Sequence, residues 1–302
     1  MTDAVTPDWI AVDWGTSQLR VWAMAGGRVL AAAASEDGMG RLAPAAFEPA
    51  LLRLIEPWLA GGRQMPVIAC GMVGARQGWA EAPYRPVPCA PVAPGALMPV
   101  AADPRLALRF VPGLSQRKPA ADVMRGEETQ IAGVLATLPD FDGIVCLPGT
   151  HSKWAHVSAG EVVSFQTFLT GEMFALLAGQ SVLRHSVGAT GWDEAAFAEA
   201  VADALTSPAR VSARLFGLRA EALVAELAPE TARARLSGLL IGAELAAARP
   251  YWLGQRVVIV AADGIAHAYA AALAAQGVQA ELMPAEQMTL AGLTLAQAGD
   301  TP

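Results

Sequence analysis

A chain of 302 residues, 54% hydrophobic and 16% charged, has enough apolar surface to fill more than one small core, which excludes a disordered chain and favours two lobes. A formal net charge of −7 with no Lys/Arg stripe excludes nucleic acid as a partner. Mean hydropathy is +0.36, inflated by alanine, and no run approaches the ~18 uninterrupted apolar residues of a spanning helix, so no membrane partner is expected.

The first nine residues carry two aspartates and no basic, apolar signal, which predicts a cytoplasmic protein. Cys70, Cys89 and Cys146 are odd in number and sit in mostly apolar surroundings, as buried thiols do in a reducing compartment, so no disulfide framework is expected. Lysine occurs only at Lys118 and Lys153.

Residues 9–14 read as a strand, 19–24 as its hairpin partner across the turn Gly15-Thr16-Ser17-Gln18, and 28–34 as a third strand. Apolar residues at helical spacing predict a helix over 45–59, followed by a short buried strand at 67–70. The segment 71–104, rich in proline and glycine and without a period, is expected to be an ordered excursion over a site. A strand at 107–111 and a helix at 126–138, stopped by Pro139, close the first half.

The pattern then repeats. Strands are predicted at 143–147, 153–157 and 161–168, with the turn Pro148-Gly149-Thr150-His151-Ser152 between the first two. Helices are expected at 170–179, 193–205, 210–227 and 231–248, then a strand at 256–261, a helix at 265–275, a strand at 279–283 and a last helix at 285–298. Each half reads as three meandering strands followed by alternating helices and strands. This predicts an α/β chain of duplicated lobes, 1–139 and 140–302, with the ligand in a cleft between them.

The first turn sets Asp13 at a strand end, then Gly15, Thr16 and Ser17. Such a turn can donate amides and hydroxyls to phosphate oxygens while the carboxylate holds Mg²⁺ directly or through water, although the same residues also make an ordinary tight hairpin. The second half repeats Gly-Thr at Gly149-Thr150, followed by His151, Ser152 and the cation Lys153, so the two turns are expected to share one set of nucleotide phosphates. His151 is equally read as satisfying a local hydrogen bond. His156, His185 and His267 show no ligand spacing, so no structural zinc is expected. Between the halves, Arg125-Gly126-Glu127-Glu128 opens a helix. Its carboxylates either stabilise the helix dipole or supply a base for a hydroxyl nucleophile. Gly-Lys-Ser/Thr and GxGxxG are both missing, which sets aside P-loop and Rossmann readings.

These residues resemble the sugar kinase, Hsp70 and actin superfamily, whose fold is a two-lobed ribonuclease H-like (actin-like ATPase) one. More narrowly, 10–14 with Arg20, Gly71-Met72-Val73-Gly74, Gly78-Trp79, Ala82-Pro83-Tyr84, 123–130, Pro148-Gly149-Thr150-His151, Lys153-Trp154, Thr170-Gly171-Glu172 and 236–244 resemble the bacterial 2-dehydro-3-deoxygalactonokinases through nearly the whole chain. The resemblance implies transfer of phosphate from ATP, with Mg²⁺, to the 6-hydroxyl of 2-dehydro-3-deoxygalactonate in galactonate catabolism. It places the sugar acid with the first lobe and the adenosine with the second. It implies Glu127 as the base, with Glu128 as its substitute, and Lys153 against charge on the transferred group.

The substrate would be an anion, so its carboxylate calls for an arginine, Arg125 or else Arg76, and Trp79 and Tyr84 could shape the sugar pocket or belong to the core. On the adenosine side the superfamily's glycine pair is replaced by Ala262-Asp263-Gly264. There Asp263 either caps a helix at Ile265 or meets the ribose, and Gly238 with Gly242, counted with the adenosine side, either permits close helix approach near a hinge or packs against small residues. The competing functions are a kinase of another 2-keto-3-deoxy sugar acid, a sugar-independent ATPase and a sugar-sensing protein. A homo-oligomer is compatible with all of them.

Overall fold

The structure is a computed structural model that describes residues 6–59 and 62–299. In chain order the first elements are β1 (Trp9–Trp14), β2 (Leu19–Ala25), β3 (Arg28–Ser35), α1 (Phe47–Ile55), β4 (Met65–Gly71), β5 (Tyr84–Pro86), β6 (Met98–Pro99), β7 (Leu106–Phe110), β8 (Gly113–Gln116), β9 (Asp122–Met124) and α2 (Glu127–Thr137). They are followed by β10 (Gly143–Leu147), β11 (Ser152–Ser158), β12 (Glu161–Phe168), α3 (Thr170–Gly179), α4 (Glu194–Thr206), α5 (Val211–Val224), α6 (Pro229–Ala247), α7 (Arg249–Trp252), β13 (Val257–Ala261), α8 (Asp263–Ala274), β14 (Ala280–Pro284) and α9 (Ala285–Ala298). No described helix is long and apolar enough to cross a membrane.

Two compact units result. The first contains the chain up to Asp142 together with Val157–Ser164 and the segment from Ala285 onward; the second contains Gly143–His156 and Phe165–Pro284. The sheet of the first unit runs β3-β2-β1-β4-β7-β6, and a small sheet, β5-β8-β9, lies apart from it. Strand β1 pairs antiparallel with β2 and parallel with β4. Its apolar run serves two faces by simple alternation: Ile10, Val12 and Trp14 pack with Phe47 and Leu51 of α1, while Trp9 and Ala11 pack with Leu293 and Ala296 of α9. Only Asp13, at the carboxyl end, interrupts the run with a charge.

The placement of α9 corrects the single boundary at 139/140. This helix belongs to the first unit because glycines let it press on α2. A Cβ at Gly133 would lie 2.0 Å from the Met288 carbonyl oxygen, and one at Gly292 would lie 1.9 Å from that of Thr129. The tip of the β11–β12 hairpin also belongs to the first unit, where Val162 and Cys89 exchange backbone hydrogen bonds of 2.9 and 3.3 Å.

The second unit's sheet runs β12-β11-β10-β13-β14, with β10, β13 and β14 mutually parallel in sequence, repeating the β3-β2-β1-β4-β7 order of the first. Ile144, Cys146, Val257 and Ile259 form its core with Phe197 of α4, Ile241 of α6 and Tyr269 of α8. The mixed α/β architecture and the repeated sheet order agree with the fold expected from the sequence.

Local differences have local causes. The helix expected over 45–59 is α1 flanked by two 3₁₀ turns, Pro44–Ala46 and Glu56–Trp58, each with proline in its first turn. The segment 71–104 contains β5 and β6, and the strands β8 and β9 lie where the sequence carries no clear alternation. Helix α8 begins at Asp263, two residues before the expected start, so Asp263 lies within the helix and its side chain does not cap it.

Candidate active site

In the first unit the carboxyl ends of the parallel pair β1 and β4 converge on the start of α2. The register sets Asp13 opposite Cys70 and Trp14 opposite Gly71. Gly71 has φ +90°, and a Cβ there would lie 2.6 Å from the Trp14 carbonyl oxygen; Gly126 has φ +106°, and a Cβ there would lie 3.3 Å from the Gly71 Cα. Both positions therefore need glycine, and together they bring the first turn of α2 against the strand ends, where ligands of open parallel sheets bind.

Three carboxylates meet at this edge with different partners. Asp13 is ion-paired to Arg20 at 2.5 Å. Burial pushes its carboxyl up, Arg20 pulls it down, and the charges of Glu127 and Glu286 push it up again. Glu127 is half-buried, and its Oε2 accepts the Arg125 amide at 3.0 Å. Glu128 is fully buried and turned back on its own helix start, accepting the Gly126 amide at 2.7 Å and the Thr129 hydroxyl at 3.0 Å. Burial first, then the Glu127 charge, raises its carboxyl to about 8.

Arg125 follows β9 and is held by the small sheet. Its guanidinium stacks 4.3 Å from the centre of the Tyr84 ring, and Nη2 donates to the Ala82 carbonyl at 2.7 Å. The residue is 7% exposed, and its Nε and Nη1 have no hydrogen-bond partner among the described residues. A buried guanidinium with unused donors is costly unless an anion completes it. Arg76, by contrast, is exposed and paired with Glu81 at 3.3 Å. Trp79 packs with Trp14, Phe47 and Phe110 in the core, so of the two aromatics only Tyr84 adjoins this cluster.

The first turn is anchored from outside: the Gly15 amide closes on the Gln18 carbonyl at 2.9 Å, while Met39 and Gly40 donate to the carbonyls of Gly15 and Thr16 at 3.0 and 2.9 Å. The Thr16 and Ser17 side chains remain exposed.

In the second unit the corresponding turn is gripped by the start of α3. A Cβ at Gly171 would lie 2.2 Å from the Gly149 carbonyl oxygen, and the Glu172 amide donates to the Thr150 carbonyl at 2.9 Å. Gly149 faces open space, and Thr150 is exposed. The His151 ring meets Glu172 at 2.5 Å, Ser152 is buried, and the buried Lys153 reaches the His151 carbonyl at 3.4 Å.

Beside the start of α3 lies a cavity of about 610 Å³, walled by Thr170, Gly171 and Phe174 of α3, by Arg233, Ser237 and Ile241 of α6, by Tyr269 of α8 and by Trp192, with Asp263 and Gly264 at its mouth. Ala262 is exposed and precedes α8. Gly238 and Gly242 occupy the other side of α6, where a Cβ would lie 2.5 Å from the Phe197 carbonyl oxygen or 2.6 Å from that of Val201. Of the two roles open to them, helix packing is the one their surroundings provide. Sequence reasoning missed Phe174, Trp192, Arg233 and Tyr269. Thr170-Gly171, one of the resemblance motifs, marked that wall.

Among the described residues no group of three His, Cys, Asp or Glu converges as a metal cage. Asp13 alone at a strand end suits Mg²⁺, which is commonly held by one or two carboxylates, water and substrate phosphates rather than by an all-protein cage.

Residues 13–296 match the 2-keto-3-deoxy-galactonokinase family. The chain is 39% identical over 294 residues to a Rhizobium meliloti protein named probable 2-dehydro-3-deoxygalactonokinase, covering 95% of each chain. It is 33% identical over 297 residues to the 2-dehydro-3-deoxygalactonokinase of Escherichia coli, covering 98% of this chain and 97% of the relative. A crystal structure from Sinorhizobium meliloti, of a protein whose name carries the same activity, superposes with a TM-score of 0.90 at 39% identity over 97% of both chains.

Proposed function

The chain belongs to the 2-keto-3-deoxy-galactonokinase family, and from that premise we propose that it transfers the γ-phosphoryl group of ATP to the 6-hydroxyl of 2-dehydro-3-deoxygalactonate. The observation that supports the site assignment is the meeting of Asp13 and Glu127, two carboxylates of unlike partners, at the carboxyl ends of β1 and β4.

Glu127 accepts the proton of the 6-hydroxyl as that oxygen attacks phosphorus. It is less buried than Glu128, whose carboxyl is committed to its own helix start. Asp13 would hold Mg²⁺, which neutralises phosphate charge when bound. In the second unit the turn from Gly149 to Ser152 binds phosphate oxygens, with Lys153 and His151 as the adjacent cationic and hydrogen-bonding groups; in the first unit the exposed hydroxyls of Thr16 and Ser17 are the groups suited to phosphate. The cavity walled by α3, α6 and α8 takes the adenosine, with Asp263 and Gly264 at its rim. Arg125 receives the substrate carboxylate through its Nε and Nη1 donors, beside the Tyr84 ring stacked on the guanidinium.

Glu127→Gln keeps the shape of the site and removes the base. Turnover in an ADP-coupled assay is expected to fall by about 10²–10⁴-fold with the melting temperature little changed. Full turnover in this variant would assign the proton to another group.

A further inference from the structure

Behind the wall of the second unit's cavity lies a buried carboxylate that this mechanism does not use. Glu244, 3% exposed, projects from α6. Its Oε1 accepts the Trp154 indole N–H at 2.8 Å, and its Oε2 accepts the Tyr269 hydroxyl at 2.7 Å and the Thr170 hydroxyl as well. The single proton of Tyr269 is thereby committed to Glu244. Ser152 lies 3.0 Å from the Tyr269 hydroxyl and also within hydrogen-bond reach of Glu244, so its proton serves the same network. Every hydrogen bond in the network points towards the carboxylate, directly or through Tyr269, as suits a group that when ionised only accepts.

These donors come from three elements. Ser152 ends the Gly149 turn at the start of β11, Thr170 opens α3, and Tyr269 lies on α8. Thr170 and Tyr269 both line the cavity, and α3 grips the turn through Gly171 and the Glu172 amide. We propose that Glu244 is a positioning residue for the nucleotide, fixing the Gly149–Ser152 turn, the start of α3 and the Tyr269 wall relative to one another before the nucleotide arrives. This rests on the reading of the cavity and its turn as the nucleotide site.

The test compares the unmodified chain with Glu244→Gln and Thr170→Val. Calorimetric titration with ADP is read beside the KM values for ATP and for the sugar acid. Glutamine preserves volume but turns an N–H group towards donors. Thr170→Val removes one donor and leaves the carboxylate with its Trp154 and Tyr269 partners, so it reports even if Glu244→Gln does not fold. ADP Kd and the KM for ATP are expected to rise on the order of tenfold in each variant, with the KM for the sugar acid held within about twofold. The double variant is expected to weaken ADP binding by less than the product of the two single effects, because both substitutions act on one hydrogen-bond network.

Equal rises in both KM values, the signature of a merely structural role, would overturn the proposal. So would ADP affinity left unchanged by both substitutions while the unmodified chain binds ADP. An unmodified chain that binds no ADP would instead overturn the assignment of the cavity, and this inference with it.

Discussion

Arg125 and Glu128 lie on either side of Gly126-Glu127 and both are buried, yet their environments ask for opposite things. The guanidinium has donors to spare, and Arg125→Lys replaces a planar group stacked on Tyr84 by a point charge that cannot reproduce it. The KM for the sugar acid is expected to rise at least about tenfold while that for ATP stays put, as initial-rate kinetics will show. Glu128 is raised to about 8 from an ordinary value of 4.5. The folded protein therefore keeps a proton that the unfolded chain loses between these values. The resulting stability is fully present below the unfolded value, declines by about 1.4 kcal/mol per pH unit as pH rises towards 8, and is lost above it. Glu128→Gln removes this slope. Its melting temperature relative to the unmodified chain should climb from about pH 5 to pH 8, and a constant difference would show that burial does not hold the proton there.

At the scale of elements, two glycines set the edge on which the chemistry depends. Gly126→Ala places a Cβ 3.3 Å from the Gly71 Cα in a backbone with φ +106°. A loss of about 1–3 kcal/mol in denaturant titration is expected, with a fall in turnover as Glu127 shifts. Gly179→Ala, which meets open space at the end of α3, should leave both unchanged. This edge was partly legible in the sequence. The apolar run leading to Asp13 marked β1, and the acidic helix start marked α2, because both signals are local. The small sheet that holds Arg125 was not legible, since its strands are three or four residues long and β5, which pairs with β8, lies far from it in the chain. The cavity walls were hidden for a similar reason: Phe174, Arg233 and Tyr269 come from three helices and carry ordinary core or surface identities until folding gathers them. The four-residue spacing of Gly238 and Gly242 was legible as a place of close helix approach, and α4 occupies that space.

For the whole molecule, the repeated sheet order explains how one chain furnishes two glycine-threonine turns, one in each unit. The C-terminal helix returns to the first unit, so neither unit is a simple half of the sequence. Phosphate transfer to a sugar acid is tested most directly by ADP release across a panel of 2-keto-3-deoxy acids, aldonic acids and neutral sugars, with and without Mg²⁺. It predicts ADP formation only with Mg²⁺ and a 2-keto-3-deoxy acid, greatest with 2-dehydro-3-deoxygalactonate, and one phosphate gained at the 6-hydroxyl for each ADP released. Equal ADP release with no acceptor present, or turnover of a neutral sugar in preference to the acid, would contradict it.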